Sequence, residues 1–200
     1  MTEDKTVIPL VSKVTRTVAA LLALVVLATV EAQEPAPPRL PRETLAHYAA
    51  RILPPGSELA HTPLEGRFGP GARNTLILFR ATNDVNTNFS GWVMVPGTSG
   101  APAKLTRHTL PAMREIPGHF EIAVEAVFYA NADSDPAPEL FVIYSYHRNG
   151  SQDDDARATA VYDWDGHGFL SLEPLEEQIA GFKTVAAIRA KLARQTRVRR

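Results

Sequence analysis

Leu140 to Tyr146 is apolar or aromatic at six of seven positions. A short run of that kind, rich in β-branched and aromatic residues, is what a central strand covered on both sides requires. Upstream of it, Phe120, Ile122, Val124, Ala126 and Phe128 alternate with Glu121, Ala123, Glu125, Val127 and Tyr129. That is the period of a strand with one face in a core. Between the two runs, Asn131 to Pro138 is made of turn-forming and acidic residues, so residues 120 to 147 read as a hairpin with a charged tip.

Shorter β-type runs flank the hairpin. Asn74–Ala81, Gly91–Pro96, Lys104–Leu110, Arg157–Asp163 and Leu170–Leu172 are bounded by Asn, Asp, Thr, Gly and Ser, a spacing that predicts an antiparallel meander. Asp165-Gly166 signals a tight turn between the last two, and Trp164 and Phe169 beside it read as packing residues. Leu45, Tyr48, Ala49 and Ile52 share one helical face within Glu43–Leu53, and Pro54-Pro55-Gly56 stops that helix. Val185, Ile188 and Leu192 repeat the spacing within Lys183–Arg194, which predicts an amphipathic helix closing the chain. Residues 57 to 73 hold glycine and proline with few apolar residues and read as a loop. The expected fold over residues 43–194 is mainly β, α+β at its margins. It is an antiparallel meander of about seven strands, with one N-terminal and one C-terminal helix.

Val18 to Val30 is a 13-residue apolar run preceded by Lys5, Lys13 and Arg16. It is short for a membrane span and has the shape of a secretory signal, with cleavage expected after Ala32. Retention as an uncleaved anchor is the competing outcome, and a membrane enters only through this segment. Residues 33–42 carry four prolines and read as an extended linker, and residues 195–200 form a basic tail read as a solvated helix end. The chain contains no cysteine, which excludes thiol catalysis, cysteine-ligated zinc, disulfides and lipid attachment at a cysteine. An exported chain without disulfides fits a bacterial periplasm or exterior. A formal charge of −1 supplies no global field for nucleic acid, and no nucleic-acid partner is expected.

Asn131, Asp133, Asp135 and Glu139 put oxygen donors at positions one, three, five and nine of the hairpin loop. Calcium takes six to eight hard oxygen ligands, and a curled loop can aim alternate side chains and one carbonyl at it. The stretch resembles the calcium loop of an FG-GAP or VCBS repeat, the blade unit of integrin alpha chains, with a pattern near D-x-[DN]-x-D-G-x-x-[DE]-[LIV]. Asn131 stands where the family has a carboxylate, and Pro136 where it has glycine. The resemblance covers about 30 residues in a single copy and implies strand, loop, strand in a propeller-blade-like unit. It also implies calcium held by Asn131, Asp133, Asp135 and Glu139 with the carbonyl of Ala137. Without it, the same acids read equally as a hydrated turn.

Asp153-Asp154-Asp155 follows the next strand and would reach the same end of the sheet. Tyr144, Tyr146, His147 and Arg148, with His108 and His119, offer polar aromatic and basic groups for a pocket. No nucleophile elbow or metalloprotease helix motif is present. The leading functional expectation is an exported non-enzymatic module, stabilised by calcium if the loop binds it, with a protein or glycan as partner. The alternative is a small periplasmic hydrolase using the acids of loops 131–139 and 153–155.

Overall fold

The computed structural model describes residues 34–70, 73–81, 88–97, 105–113, 119–132, 137–148 and 156–198. The N-terminal apolar run, Asp133 to Pro136 and the Asp153–Asp155 loop lie outside them. In chain order the elements are β1 (Glu34–Ala36), α1 (Leu45–Ile52), β2 (Ser57–Leu59), β3 (Leu64–Gly66), β4 (Asn74–Ala81), β5 (Phe89–Pro96) and β6 (Leu105–Thr109). They continue with β7 (His119–Ala130), β8 (Glu139–Arg148), β9 (Ala156–Trp164), β10 (Phe169–Ser171), α2 (Glu173–Ile179) and α3 (Val185–Val198). Among the described residues no helix is long and apolar enough to cross a membrane.

Two antiparallel sheets result. The first runs β1-β6-β5-β4-β2, with β3 also on β4, and the second runs β10-β9-β8-β7. Strand β8 shows why the sheets stack. Its Leu140, Val142 and Tyr144 enter a cluster with Leu76, Leu78 and Val93 of the first sheet, while Phe141 and Ile143 pack against Ile179, Ile188 and Leu192 of α2 and α3. Leu140 to Ile143 are each at most 2% exposed, so both faces of this strand are dry. Each such side chain contributes roughly 1.5–3 kcal/mol of burial. The first sheet repeats the logic outward, where Ile77, Phe79, Trp92 and Met94 meet Tyr48 and Ala49 of α1. The described residues therefore stack four layers deep: α1, sheet, sheet, then α2 with α3.

Local chemistry sets the helix and turn positions. Thr44 caps α1, its hydroxyl accepting from the His47 N–H at 3.2 Å, and Gly56 takes a positive φ of 73° just beyond the Leu53-Pro54-Pro55 stop. At the β9–β10 turn, Asp165 Oδ1 accepts the His167 and Gly168 N–H groups, both at 2.8 Å, and Gly166 sits at φ 98°. Those bonds hold the Asp165 carboxyl below its ordinary range.

Several expectations change. There are ten strands among the described residues, and the three beyond the expected seven are β1, β2 and β3, each only three residues long. The stretch read as a loop, residues 57 to 73, instead supplies β2 and β3, which lie in turn along one edge of β4. The stretch read as a linker begins with β1, paired to β6 from Glu34↔Arg107 to Ala36↔Leu105. Pro35 is tolerated there because an edge strand can present its missing N–H side to solvent. A second C-terminal helix, α2, precedes the expected one and opens with a proline and two acidic residues, which suit a helix start.

The single apolar face expected on residues 120 to 128 is also corrected. Val124 pairs with Tyr144 but Ala126 pairs with Ile143, so Glu125 is an extra, bulged residue. The bulge reverses the phase of the strand: Ile122 and Val124 face the inter-sheet core, whereas Ala126 and Phe128 face the helices and Val127 and Tyr129 take over the inner face.

Candidate functional site

The hairpin tip expected to hold an ion is only partly within the described residues. Ala130 pairs with Glu139 to close it. Asn131 is exposed, Ala137 is half-buried and Glu139 is 1% exposed at the start of β8. Glu139 Oε2 accepts the Ala132 N–H at 2.6 Å, so this carboxylate binds the backbone of its own loop. Asp133 and Asp135 lie outside the described residues. Among the described residues no three His, Asp or Glu side chains come together as an ion cage.

The structure brings a different group together on the helix side of the second sheet. Ser145 interrupts the apolar run of β8, is 4% exposed and faces α2 and α3 rather than the inter-sheet core. The bulge in β7 swings Glu125 towards it, and Ser145 Oγ donates to Glu125 Oε1 at 2.8 Å. Arg157 of β9, directly across from Ser145 in register, comes within 3.9 Å of Glu125 Oε2. Three neighbouring strands thus contribute one polar side chain each to a continuous row.

A hollow of about 200 Å³ opens beside this row, floored by Arg157, Ala158 and Thr159 and walled by Glu176, Glu177 and Ala180 of α2 and the turn that follows. Tyr144 and Tyr146 complete its lining. Thr159 is 6% exposed. Glu176 holds the helix in place, because its Oε1 accepts the Val161 N–H at 2.9 Å and the Ser171 hydroxyl at 3.1 Å. The Val161 N–H lies on the edge of β9 past the end of β10, where no further strand takes it up among the described residues, so the glutamate substitutes for a ladder partner. Nearby Tyr162 is 1% exposed, and burial, with smaller contributions from Glu176 and Tyr144, pushes its hydroxyl above the ordinary tyrosine value. It stays neutral throughout the physiological range.

The chain matches no protein-family model, no curated protein and no solved structure.

Chemically, the hollow offers a guanidinium, a hydroxyl and carboxylates around partly apolar walls. Ser145 donates its hydroxyl proton to the Glu125 carboxylate, which fixes the direction in which its oxygen can accept a further hydrogen bond. The arrangement suits hydrogen bonding to a polar group more directly than it suits bond cleavage. Of the residues expected to line a pocket, Tyr144 and Tyr146 do so, whereas His108 is buried against Trp164 with ring centroids 4.9 Å apart. The side chains of His119, His147 and Arg148 lie outside the description. Glu125, Ser145, Arg157, Thr159, Glu176 and Glu177 carried no motif. The one visible signal was Ser145, a lone hydroxyl inside an otherwise apolar strand.

Proposed function

We propose that this chain is an exported binding module, working in a bacterial periplasm or at the cell surface, whose hollow between β9 and α2 engages a protein side chain or a glycan unit. The observation that carries the reading is the polar row Glu125, Ser145 and Arg157 running into the hollow beside Thr159 and Glu176. Small-molecule sites commonly enclose about 300–1,000 Å³. A hollow of about 200 Å³ accommodates one sugar ring or one side chain of a larger partner. Export follows from the apolar run at residues 18–30, and the meander β7–β10 is read as a single blade-like unit whose hairpin tip, Asn131 to Glu139, takes calcium.

The test is titration of the protein with soluble peptidoglycan fragments and with short peptides, followed by NMR. Saturable shifts should centre on Arg157, Thr159 and α2, with the ligand recovered intact. Arg157→Ala should weaken binding by tenfold or more without changing the fold, consistent with loss of about 1.4 kcal/mol or more. Release of cleaved fragments would support the hydrolase alternative, and saturable binding that Arg157→Ala leaves unchanged would remove the hollow as the site.

A further inference from the structure

Strand β10 fills only part of the lane beside β9. The Asp165 N–H donates to the Gly168 carbonyl at 3.1 Å, and the Leu172 N–H donates to the Val161 carbonyl at 2.9 Å. Between them Asp163 stands opposite Leu170. Antiparallel pairing turns the backbone groups of every second residue to the same side, so Asp165, Asp163 and Val161 all face this lane. The chain then leaves it, because Leu172 passes into α2. The Val161 N–H, which would have taken the next ladder bond, goes to Glu176 Oε1 at 2.9 Å instead.

The same alternation carries on to Thr159 and Arg157. Pairing of β9 with β8 runs without a slip from Leu140↔Tyr162 to Tyr146↔Ala156, so nothing reverses the phase. Ala158 and Ala160 therefore turn their N–H and C=O groups to β8, whereas Thr159 and Arg157 turn theirs to the lane beyond Glu176. Among the described residues no strand occupies that stretch. The hollow lies there. Arg157, Ala158 and Thr159 point alternately to the two faces of the sheet, so a space lined by all three lies against the edge of the strand. Glu176, Glu177 and Ala180 bound it on the helix side, and Ala158 with Tyr144 and Tyr146 bound it towards the inter-sheet core.

We propose that β9 takes up an extended peptide at this edge, as an antiparallel strand that continues the lane of β10. The proposal rests on the hollow being a binding site, as read above, and specifies its ligand. Two peptide residues, opposite Thr159 and Arg157, share up to four ladder bonds with them, and the residue between, opposite Ala158, turns its N–H away. Residues directly opposite each other share a face of the sheet. The middle side chain therefore enters beside Ala158, Tyr144 and Tyr146, which suits an apolar residue. The residue opposite Arg157 suits a carboxylate, because that guanidinium is 37% exposed and its ion pair with Glu125 Oε2 spans 3.9 Å. Glu176 sits at the other end, against Val161, so the residue opposite Thr159 is a neutral one. From its N-terminal side the ligand is thus neutral, apolar, then acidic.

The experiment is NMR titration of the protein with the blocked peptide serine-threonine-valine-glutamate-serine and with three forms of it, N-methylated at threonine, valine or glutamate. Methylation at threonine or glutamate removes a ladder donor and should weaken binding about tenfold, whereas methylation at valine should leave it within about twofold. In the unmethylated complex the amide hydrogens of Arg157 and Thr159 should exchange with solvent more slowly, and that of Ala158, already bonded to β8, should not change. Exchanging the peptide's glutamate for glutamine should weaken binding about threefold, a loss that Arg157→Ala abolishes. The proposal is overturned by equal affinity for the three methylated peptides, by binding without slower exchange at Arg157 and Thr159, or by the same glutamine loss in Arg157→Ala. Shifts of the lining residues with peptidoglycan fragments but not with the peptide would overturn strand addition and leave the hollow a binding site. Shifts with neither would overturn both.

Discussion

His108 shows how a single residue takes its properties from packing. It is 9% exposed on β6, with its ring edge-on to Trp164, which in turn meets Phe169 at 5.2 Å. Burial holds its imidazole below the ordinary histidine value, so the folded protein takes up this proton less readily than the unfolded chain. The resulting stability is fully present above about pH 6.5 and is lost as pH falls below that value through the folded one. Thermal melting should therefore fall between pH 7.5 and 5.5. His108→Asn, which cannot charge, should flatten the part of the decline that this residue causes. Equal slopes for the two proteins would show that His108 is not the titrating group. Other residue-scale features are equally invisible in sequence. A Cβ at Gly66 would overlap the Tyr129 ring, and Asn74 is wholly buried, donating its amide to the carbonyls of Phe68 and Pro70. Neither position carries a local pattern that announces such contacts.

At the scale of elements, the β7–β8 hairpin was readable because alternation and turn residues are local properties. Its bulge was not, since a bulge is set by pairing with the neighbouring strand. The tip remains the element on which the ion expectation depends. If Asn131, Asp133, Asp135, the Ala137 carbonyl and Glu139 hold calcium with the 10⁻⁴ to 10⁻³ M affinity of about the extracellular range, then about 1 mM calcium should stabilise the fold by roughly 0.4–1.4 kcal/mol. That corresponds to a rise in melting temperature of a few degrees, abolished by Asp133→Asn with Asp135→Asn. A melting point indifferent to calcium and chelator would mark the loop as a hydrated turn. Glu139→Gln gives a separate measure of the element. Its carboxylate accepts the Ala132 N–H inside a buried site, so this change should cost on the order of 1 kcal/mol with or without calcium, read by denaturant unfolding.

For the whole molecule, export and folding meet at one short segment. Cleavage after Ala32 would leave Gln33 as the first residue, immediately before β1, so a new N-terminus and an edge strand fall within two residues of each other. Protein expressed with residues 1–32 should be recovered from the periplasm or medium with Gln33 at its N-terminus, by intact mass. Recovery solely from the cytoplasm at full mass would overturn the export reading. A trimmed variant starting at Pro37 should still fold, because the chain keeps Tyr48, Ala49 and the rest of the outer cluster and loses only Ala36 from it.

What the sequence by itself determined were the properties that repeat along the chain at short range. The seven strands β4 to β10, α1, α3 and the Asp165-Gly166 turn arise from side-chain periods and turn chemistry acting within a few residues, and they stand where those periods place them. Tertiary structure alone decided the rest. β1, β2 and β3 exist because the edges of β6 and β4 offer backbone groups that need partners, a demand set outside their own three residues. The reversal of phase in β7 exists because Glu125 has no opposite number in β8. The hollow exists because α2 is held over β9 by Glu176, fifteen residues on from the Val161 N–H that it caps. Each of these depends on which surfaces meet, and an unfolded chain does not contain that information in any local stretch.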